Sequence, residues 1–264
     1  PEEDTVTDPT ATETVEWNEW LRRWDAQQEV YIESRERRFE VMVSFLDALL
    51  PPDLRALDLA AGPGSASARL LRRLPRSRSV AVDADPVLLR LGEGAQGDHG
   101  GRLRWVQADL RNPTWVDALG QDSFDAVIST TALHWLTAPE VAQVYRQLAG
   151  LLRPGGVLLN GDLLPLPGRL SRIRAAVTAV DERRQAVALA GGSQAWQDWW
   201  DTLRSEPVLR DAFAERDRLW PDGTGTGQRS VGLAFREAAL LEAGFDEVGV
   251  VWQDLEERVL VALR

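Results

Sequence analysis

The spacing of apolar residues divides the chain into segments of different kinds. Residues 16–50 have helical periodicity, which the proline pair 51–52 ends. The large apolar side chains of this segment fall on two faces: Trp17, Trp20, Leu21 and Trp24 on one, and Val41, Phe45 and Leu49 on the other. From residue 54 to residue 162, short β-rich apolar runs alternate with helical segments, which is typical of βαβ units around a parallel sheet.

Seven apolar runs are predicted to be strands. They are 56–59, 80–82, 103–106, 126–129, 157–159, 248–252 and 259–263. The last two runs should pair antiparallel, because the six residues between them are too few for a crossover helix. The sequence therefore predicts an α/β fold, a doubly wound, mainly parallel sheet of seven strands with an antiparallel strand at its edge. The glycine-bearing stretch 92–101 is predicted to be a loose turn.

These elements predict four regions. Residues 1–14 are predicted to be a disordered acidic tail, and residues 15–50 an N-terminal helical cover. Residues 51–164 and 231–264 form the predicted core. Residues 165–230 are a predicted helical insertion or lid, which ends in a glycine run at 223–227 that should be flexible.

Composition narrows the chemistry that this fold can carry. The chain has 41 acidic and 30 basic residues, a net charge of −11, and neither Lys nor Cys. Schiff-base lysines, thiol nucleophiles and cysteine zinc sites are therefore excluded, and the charge argues against a nucleic-acid partner. Two histidines, His99 and His134, are too few for a three-His metal site.

No apolar run reaches the roughly 18 residues of a membrane span, and the acidic first residues do not resemble a secretory signal, so we expect a cytoplasmic protein.

A glycine-bearing turn after the first predicted strand is a candidate binding site. Asp58 ends the strand, residues 60–64 form the turn, and a helix is predicted from Ser65 to about Leu74. Small residues let the backbone approach a ligand, and a helix N-terminus offers free N–H donors. A dinucleotide-binding fingerprint would have a third glycine at the position of Ser67, and it would have no acidic residue at the position of Asp58. The carboxylate of Asp58 suits instead a ligand that carries an ammonium or sulfonium group.

Two more carboxylates follow the next strands. Asp83 ends the second strand, 25 residues after Asp58, where the first βαβ unit places an acceptor for both hydroxyls of a ribose. Asp109 follows the third strand and can accept a hydrogen bond from the exocyclic amine of an adenine. Asp85, followed by Pro86, is predicted to cap a helix instead.

With these residues the sequence resembles the class I S-adenosylmethionine (SAM)-dependent methyltransferases, most closely small-molecule members such as the trans-aconitate methyltransferases. The resemblance covers about residues 31–162 and 231–264. It implies the strand order 3-2-1-4-5-7-6, SAM as cofactor and S-adenosylhomocysteine (SAH) as product. It assigns these residues to the cofactor: Tyr31, Arg38, Asp58, Ala60, Gly62, Gly64, Asp83, Ala84, Asp109, Leu110 and Ser129.

The same resemblance indicates which of these residues bind each part of the cofactor. The segment 58–64 holds its methionine part, Asp83 its ribose, and Asp109 its adenine. Tyr31 and Arg38, which are seven residues apart on one predicted helix face, would meet its carboxylate, although an exposed helix face also explains their spacing. The family usually has glycine at the position of Ala60, where alanine resists a positive φ angle.

Methyl transfer requires that the methyl donor and the acceptor atom are aligned and that water is excluded. It requires a base only when the acceptor atom must lose a proton, as in a phenol or an alcohol. His134, just after the fourth strand, is the first candidate base, and Asp162, at the end of the fifth, is the second. The alternative for His134 is a structural role. Predicted substrate contacts are Trp20, Trp24, Trp135, Trp196, Trp199 and Trp200. Alternatively, most of these rings only pack helices onto the sheet.

The insertion is locally basic. Its clustered arginines are Arg169, Arg172, Arg174, Arg183 and Arg184. They form a solvated helix face, or they meet a carboxylate substrate or an acidic carrier protein.

The sequence therefore predicts a SAM-dependent methyltransferase with a small-molecule acceptor. O-methylation of an aromatic or apolar specialised metabolite, or of a carboxylic acid, is the preferred reaction. One alternative is a catalytically silent, methyltransferase-like binding or regulatory protein. The other is a nicotinamide-dependent oxidoreductase, which Asp58 and the missing third glycine disfavour.

Overall fold

The seven predicted strands form one sheet. The structure is a computed structural model and describes residues 16–120, 123–221 and 231–264. The strands are β1 (Arg55–Leu59), β2 (Arg78–Asp83), β3 (Leu103–Gln107), β4 (Phe124–Thr130), β5 (Leu152–Leu163), β6 (Glu247–Asp254) and β7 (Glu257–Leu263). Their order across the sheet is β3-β2-β1-β4-β5-β7-β6, as predicted, and the fold is the expected doubly wound α/β arrangement.

The sheet is parallel from β3 to β5, and β7 runs antiparallel to both β5 and β6. The predicted antiparallel pairing of the last two strands is confirmed, and β6 forms the edge while β7 lies inside the sheet, as the predicted order requires. The two strands differ in how far their side chains are buried. Residues 259–262 of β7 are all buried, as expected for an inner strand, whereas β6 alternates between partly buried and exposed residues.

The described residues contain nine α-helices. They are α1 (Trp17–Tyr31), α2 (Arg35–Leu49), α3 (Ser65–Arg73), α4 (Pro86–Gln96), α5 (Ala138–Leu151), α6 (Ser171–Ala190), α7 (Trp196–Leu203), α8 (Arg210–Leu219) and α9 (Leu233–Glu242). Shorter 3₁₀ helices lie at Trp115–Leu119, Leu133–Trp135, Gly168–Leu170 and Pro207–Leu209. One sheet face packs on α5 and α9, and the other packs on α2 and α3. A separate cluster rich in Trp joins α1, α4, α7 and α8.

The N-terminal cover consists of two helices rather than one periodic segment. The chain leaves the helix at Ile32, and Ser34 donates its hydroxyl to Oδ2 of Asp254 (2.9 Å) instead of capping α2. This contact with β6 holds a turn that apolar spacing does not indicate. Tyr31 and Arg38 therefore lie on different helices, and the prediction that they share one helix face is wrong.

The buried face of α2 is not the apolar face formed by Val41, Phe45 and Leu49. Val41 and Phe45 are partly buried, and Leu49 is 48% exposed. The buried residues are Arg35, Arg38, Phe39, Met42, Val43 and Leu46. The two arginines occupy this face because each has an acidic partner from another element, which periodicity cannot reveal.

The first half of the predicted loose turn at 92–101 is helical. Gly92 and Gly94 lie within α4, which continues to Gln96. A Cβ atom at Gly92 would lie 2.4 Å from Trp105, and one at Gly94 would lie 2.3 Å from Trp17. Glycine at these positions therefore allows indole rings to pack on the helix backbone and does not mark a turn.

The chain between β5 and α9 has the helical character that the sequence predicts. It contains α6, α7 and α8, and Val177 is the one buried residue of α6. The predicted tail at 1–14 and the predicted flexible run at 223–227 lie outside the described residues. Among the helices of the described ranges, none is long and apolar enough to cross a membrane.

Candidate active site

A cavity of about 600 Å³ lies at the carboxyl ends of the parallel strands. The strand order reverses there between β1 and β4, which is where doubly wound sheets bind ligands. The loops after β1, β2, β3 and β4 form one wall, and residues of α1, α6, α7 and the β6–β7 turn form the opposite wall. The volume is within the range of roughly 300–1,000 Å³ that small-molecule sites have.

The loop after β1 reaches the cavity with a strained backbone. Ala60, Ala61 and Gly62 line the cavity. Ala60 has a φ angle of 53°, so it adopts the left-handed conformation that alanine resists. Such a conformation costs a residue with a Cβ atom about 1–2 kcal/mol.

Asp58 supports this loop from behind. Its buried side chain accepts hydrogen bonds from the backbone N–H (2.9 Å) and the hydroxyl (2.7 Å) of Ser67 in α3. Burial raises the pKa of Asp58 to about 6, although both hydrogen bonds act to lower it. Asp58 and Gly64 do not line the cavity, so they shape the loop rather than contact a ligand directly.

Asp83 lies on the cavity wall at the end of β2. Its Oδ2 accepts a hydrogen bond from the backbone N–H of Gly62 (2.6 Å), and its Oδ1 accepts one from that of Asp85 (2.8 Å). Loss of hydration raises the pKa of Asp83 to about 7, and the negative charges of Asp85 and Asp58 add to this effect. A carboxylate has about four acceptor positions, so Asp83 can accept further hydrogen bonds from hydroxyl groups.

Asp109 and Leu110 line the cavity after β3. The guanidinium of Arg111 binds the Asp109 carboxylate, with 2.6 Å between Nη2 and Oδ2. Partial burial acts to raise the pKa of Asp109, but the hydrogen bonds from Arg111 outweigh it and hold the pKa below its usual range. The cavity therefore presents an ionised carboxylate beside an apolar side chain at this point.

His134 and Asp162, the two predicted bases, form a pair. Nδ1 of His134 lies 2.6 Å from Oδ1 of Asp162, which also accepts the backbone N–H of Leu163 (2.9 Å). His134 lines the cavity, whereas Asp162 is fully buried and does not. Burial acts to raise the pKa of Asp162, but His134, Arg236 and Arg38 together hold it below its usual range.

Next to this pair, Thr131 lines the cavity with a positive φ angle of 55°. Its hydroxyl accepts a hydrogen bond from Nη2 of Arg38 (2.6 Å), whose Nη1 binds Oε2 of Glu257 (2.7 Å). A positive φ is rare for a β-branched residue and costs of order 1–3 kcal/mol. Arg38 thus holds a strained residue of the wall and does not itself line the cavity.

The turn between α1 and α2 is tied to the start of α3. Asp25 accepts hydrogen bonds from Nη1 of Arg35 (2.7 Å), the hydroxyl of Ser65 (2.8 Å) and Nη2 of Arg69 (3.2 Å). Arg35 and Ser65 both line the cavity. This network fastens the N-terminal helices beside the loop after β1.

Aromatic side chains form much of the far wall. The cavity is lined by Trp24, Tyr31, Trp135, Trp196, Trp200 and Trp220. The ring centroids of Trp24 and Trp196 lie 5.6 Å apart, and those of Trp196 and Trp200 lie 5.9 Å apart. Trp20 and Trp199 are buried and do not line the cavity, although both were predicted to contact substrate. They pack behind the lining rings, so the packing alternative describes these two.

The structure separates the predicted site residues into two groups. The cavity is lined by Trp24, Tyr31, Ala60, Gly62, Asp83, Ala84, Asp109, Leu110, His134, Trp135, Trp196 and Trp200. It is not lined by Trp20, Arg38, Asp58, Gly64, Ser129, Asp162 and Trp199. Ser129, for example, is buried and donates its hydroxyl to the carbonyl of Leu59 (2.8 Å), which joins β4 to β1.

Sequence reasoning missed several lining residues, among them Arg35, Thr131, Arg216 and Glu257. Thr131 lies between Ser129 and His134, two predicted site residues, and this position in the chain is the one signal available for it. The contacts of Arg216 and Glu257 join residues 131 and 219 positions apart, so no local pattern indicates them.

Comparison with known proteins assigns this geometry to a family. Residues 56–156 match a family model described as a methyltransferase domain. A trans-aconitate 2-methyltransferase of Azoarcus sp. (strain BH72) is 35% identical over 244 residues, which are 84% of this chain and 89% of that protein. A malonyl-[acyl-carrier protein] O-methyltransferase of Halorhodospira halophila (strain DSM 244 / SL1) is 34% identical over 192 residues, covering 71% of this chain and 62% of that protein.

A solved structure shows the same fold. The magnesium protoporphyrin IX methyltransferase of Synechocystis PCC 6803 with bound SAH has a TM-score of 0.56 at 17% identity, covering 92% of this chain and 94% of that one. The length and identity of the match to the Azoarcus protein define the class. The chain belongs to the SAM-dependent methyltransferases, and it is an enzyme of the small-molecule type.

The cavity fits the cofactor of this family. SAM carries a positive sulfonium and ammonium group, two ribose hydroxyls and an adenine. Asp83 and Asp109 supply carboxylates along one wall, and the loop at residues 60–63 supplies a close backbone approach. The family membership thus confirms SAM as the cofactor and sets aside both the nicotinamide-dependent and the catalytically silent alternatives.

Proposed function

We propose that this methyltransferase methylates a hydroxyl oxygen of a small aromatic or apolar molecule, with His134 as general base. The observation that carries the proposal is the short contact between His134 and Asp162 at a cavity lined by indole rings. A carboxylate acceptor is already ionised and needs no base, whereas a phenol or an alcohol must lose a proton. The pair therefore favours a hydroxyl acceptor.

We assign the cofactor to the wall formed by the loops after β1, β2 and β3. When bound, SAM supplies a methyl group that its sulfonium sulfur has already activated. In this proposal Asp83 and Ala84 hold the ribose, and Asp109 with Leu110 holds the adenine. Ala60 and Gly62 let the loop approach the methionine part; Asp58, Gly64 and Ser129 act indirectly, through the conformation of the loop and the adjoining strands.

Arg35 replaces Arg38 as the proposed partner of the cofactor carboxylate. Arg35 lines the cavity beside Ser65, at the N-terminus of α3, and Tyr31 lines the cavity nearby. Arg38 is buried and bound to Glu257 and Thr131. Its role is therefore to hold Thr131 in the wall rather than to contact the cofactor.

Asp162 prepares His134 for proton transfer. An ionised Asp162 accepts the Nδ1–H of His134, which fixes the tautomer and leaves the lone pair on Nε2. His134 can then take the proton of the acceptor hydroxyl with Nε2. Asp162 has no access to the cavity, so we assign it a positioning role instead of the role of second base.

The charges of the lining residues also favour a neutral acceptor. Each arginine that lines the described cavity has an acidic partner: Arg35 has Asp25, Arg111 has Asp109, Arg184 has Glu33 and Asp254, and Arg216 has Asp85. A carboxylate acceptor would therefore meet less positive charge than four unpaired arginines would present. Indole rings, by contrast, offer apolar area and stacking to an aromatic acceptor.

We propose that the N-terminal helices, residues 15–50, and the insertion, residues 165–230, close over the core as a lid. Arg184 of α6 joins the two parts, since its Nε lies 2.8 Å from Oε2 of Glu33 and its Nη1 3.2 Å from Oδ2 of Asp254. The core then comprises residues 51–164 and 231–264. Closure of such a lid excludes water during methyl transfer. A specialised-metabolite acceptor and a cytoplasmic location remain predictions from the sequence.

A carboxylic acid is the second candidate acceptor. The similarity to a trans-aconitate methyltransferase and to a malonyl-[acyl-carrier protein] methyltransferase favours it. Of the five clustered arginines in the insertion, Arg184 lines the cavity, and it is paired with two acids.

The decisive experiment compares two histidine substitutions on two kinds of acceptor. Phenols of one or two rings and trans-aconitate are tested as acceptors with wild type, His134→Ala and the control His99→Ala. His99 does not line the cavity. We expect methylation of a phenol, a loss of about 10²-fold or more in kcat for His134→Ala, and a wild-type rate for His99→Ala. A preference for trans-aconitate with an unchanged rate in His134→Ala would contradict the proposal.

A further inference from the structure

Arg236 is a buried cation that the reaction described above does not use. It belongs to α9 and has no exposed surface. Its Nε donates to the carbonyl of Val231 (3.2 Å), and its Nη1 donates to the hydroxyl of Tyr145 in α5 (3.1 Å). Burying a guanidinium costs several kcal/mol unless an opposite charge lies close by. The position of that opposite charge therefore indicates what Arg236 does.

The nearest acidic partner of Arg236 is Asp162. Nη2 of Arg236 lies 3.9 Å from Oδ2 of Asp162, and neither atom has a hydrogen-bond partner of its own. The other carboxylate oxygen, Oδ1, accepts from His134 and from the backbone of Leu163. Asp162 is thus held between the ring of His134 on one side and the guanidinium of Arg236 on the other.

The charged groups around Asp162 come from several elements. Arg236 of α9 and Arg38 of α2 are positive, Glu257 of β7 is negative, and His134 follows β4. Tyr145 of α5 contributes a hydroxyl through Arg236. Arg38 is already bound to Glu257, so the two charges of that pair largely cancel. Arg236 is left as the cation whose principal acidic partner is Asp162.

We propose that Arg236 is a positioning residue: it keeps Asp162 ionised and oriented, and thereby sets the pH below which His134 can no longer act as a base. The inference rests on the proposed function. It extends that function from the cavity wall to α9, the helix that follows the insertion in the chain. Asp162 and Arg236 thus connect the two ends of the chain that flank the insertion.

The physical consequence concerns proton uptake by the pair formed by His134 and Asp162. A nearby positive charge opposes the binding of a proton to either member. Removal of the charge of Arg236 should therefore raise the pH at which the pair binds its proton. The acid limb of the pH–rate profile should move in the same direction, because the base must be free of that proton to react.

The test is an NMR pH titration of the imidazole resonances, which requires no turnover. The chain contains two histidines, so His99 serves as an internal reference. The variants are Arg236→Met, which removes the charge, and Arg236→Lys, which retains it. Arg153→Met is the matched control, because Arg153 pairs with Asp125 near the opposite end of β5. Titrations use the whole protein with SAH added.

We expect the midpoint of His134 to rise by about one pH unit in Arg236→Met. It should stay close to the wild-type value in Arg236→Lys and in Arg153→Met. An unchanged midpoint in folded Arg236→Met would overturn the inference, even if kcat fell. The proposed function is decided separately, by the rate of His134→Ala.

A second variant covers the case in which Arg236→Met does not fold. Loss of one partner leaves the other charge buried, whereas removal of both charges is often tolerated. The double variant Asp162→Asn/Arg236→Met should then recover folding, measured by circular dichroism and thermal unfolding. Recovery supports the pairing of the two residues, and a double variant as unstable as Arg236→Met overturns it.

Discussion

The two ends of the cavity differ in how their charged groups are held. At the end that we assign to the cofactor, the strand-end carboxylates bond within the first three strand–loop–helix units. Asp109 bonds to a residue two positions away, Asp58 to one nine positions away, and Asp83 to Asp85 and to Gly62, 21 positions away. At the end that we assign to the acceptor, around His134 and Arg184, the contacts join residues further apart in the chain. His134 and Asp162 are 28 positions apart, and Arg184 and Asp254 are 70 apart.

This difference has a physical consequence for the enzyme. The carboxylate contacts at the first end need only neighbouring strand–loop–helix units, whereas the contact of Arg184 with Asp254 requires the insertion and the C-terminal strands to be docked. We therefore expect substitutions around His134 to leave cofactor binding unchanged. We likewise expect substitutions at the strand-end carboxylates to leave the contacts around His134 unchanged. Substitutions that affect one end and spare the other test this independence.

The largest effect on the cofactor end is expected for Asp83→Ala. It removes the carboxylate that we assign to the ribose hydroxyls, and the loss of two charge-assisted hydrogen bonds should weaken SAH binding by about 100-fold or more. Calorimetry measures this affinity. The exposed Asp117→Ala is a control of equal charge. His134→Ala should bind SAH as wild type does, and a similar loss in both variants would contradict the independence of the two ends.

A smaller change in SAH affinity is expected when the pH is varied. The pKa of Asp83 is raised to about 7, so the carboxyl is largely protonated at pH 6 and largely ionised at pH 8. A ribose is bound by the ionised form, and SAH affinity should therefore rise by about 10-fold between these values. Asp83→Asn should remove this dependence. A binding constant that does not change with pH in the wild type would show that Asp83 does not titrate in this range.

The smallest effect is expected for Ala60→Gly. Glycine adopts the positive φ of Ala60 without strain, so the substitution should stabilise the folded protein by up to about 1 kcal/mol and raise Tm by about 2–4 °C. Ala61→Gly is the matched control, because Ala61 lies next to it without a positive φ. The control should lower Tm. Equal changes in both variants would mean that the strain at Ala60 is negligible.

Much of the fold could be predicted from the chain alone. The strands follow from apolar runs, and the antiparallel pairing of the last two follows from the short link between them, because both are local properties. The strand order followed from the resemblance to the methyltransferase family. Asp85 caps α4 as predicted, since an N-cap bonds to the next turn of its own helix. The break between α1 and α2 could not be predicted, because Ser34 is held by Asp254, 220 residues away.

The site divides in the same way. By itself the sequence determined that the strand-end residues Asp83 and Asp109 lie at one edge of the sheet, since such residues reach a common edge whenever the strands are parallel. The tertiary structure alone decided that His134 and Asp162 act as a pair, that Arg35 rather than Arg38 faces the cavity, and that the lining arginines are neutralised. These features depend on contacts between different helices, strands and loops, and a side chain's neighbours on another element are set only when the helices and strands pack together.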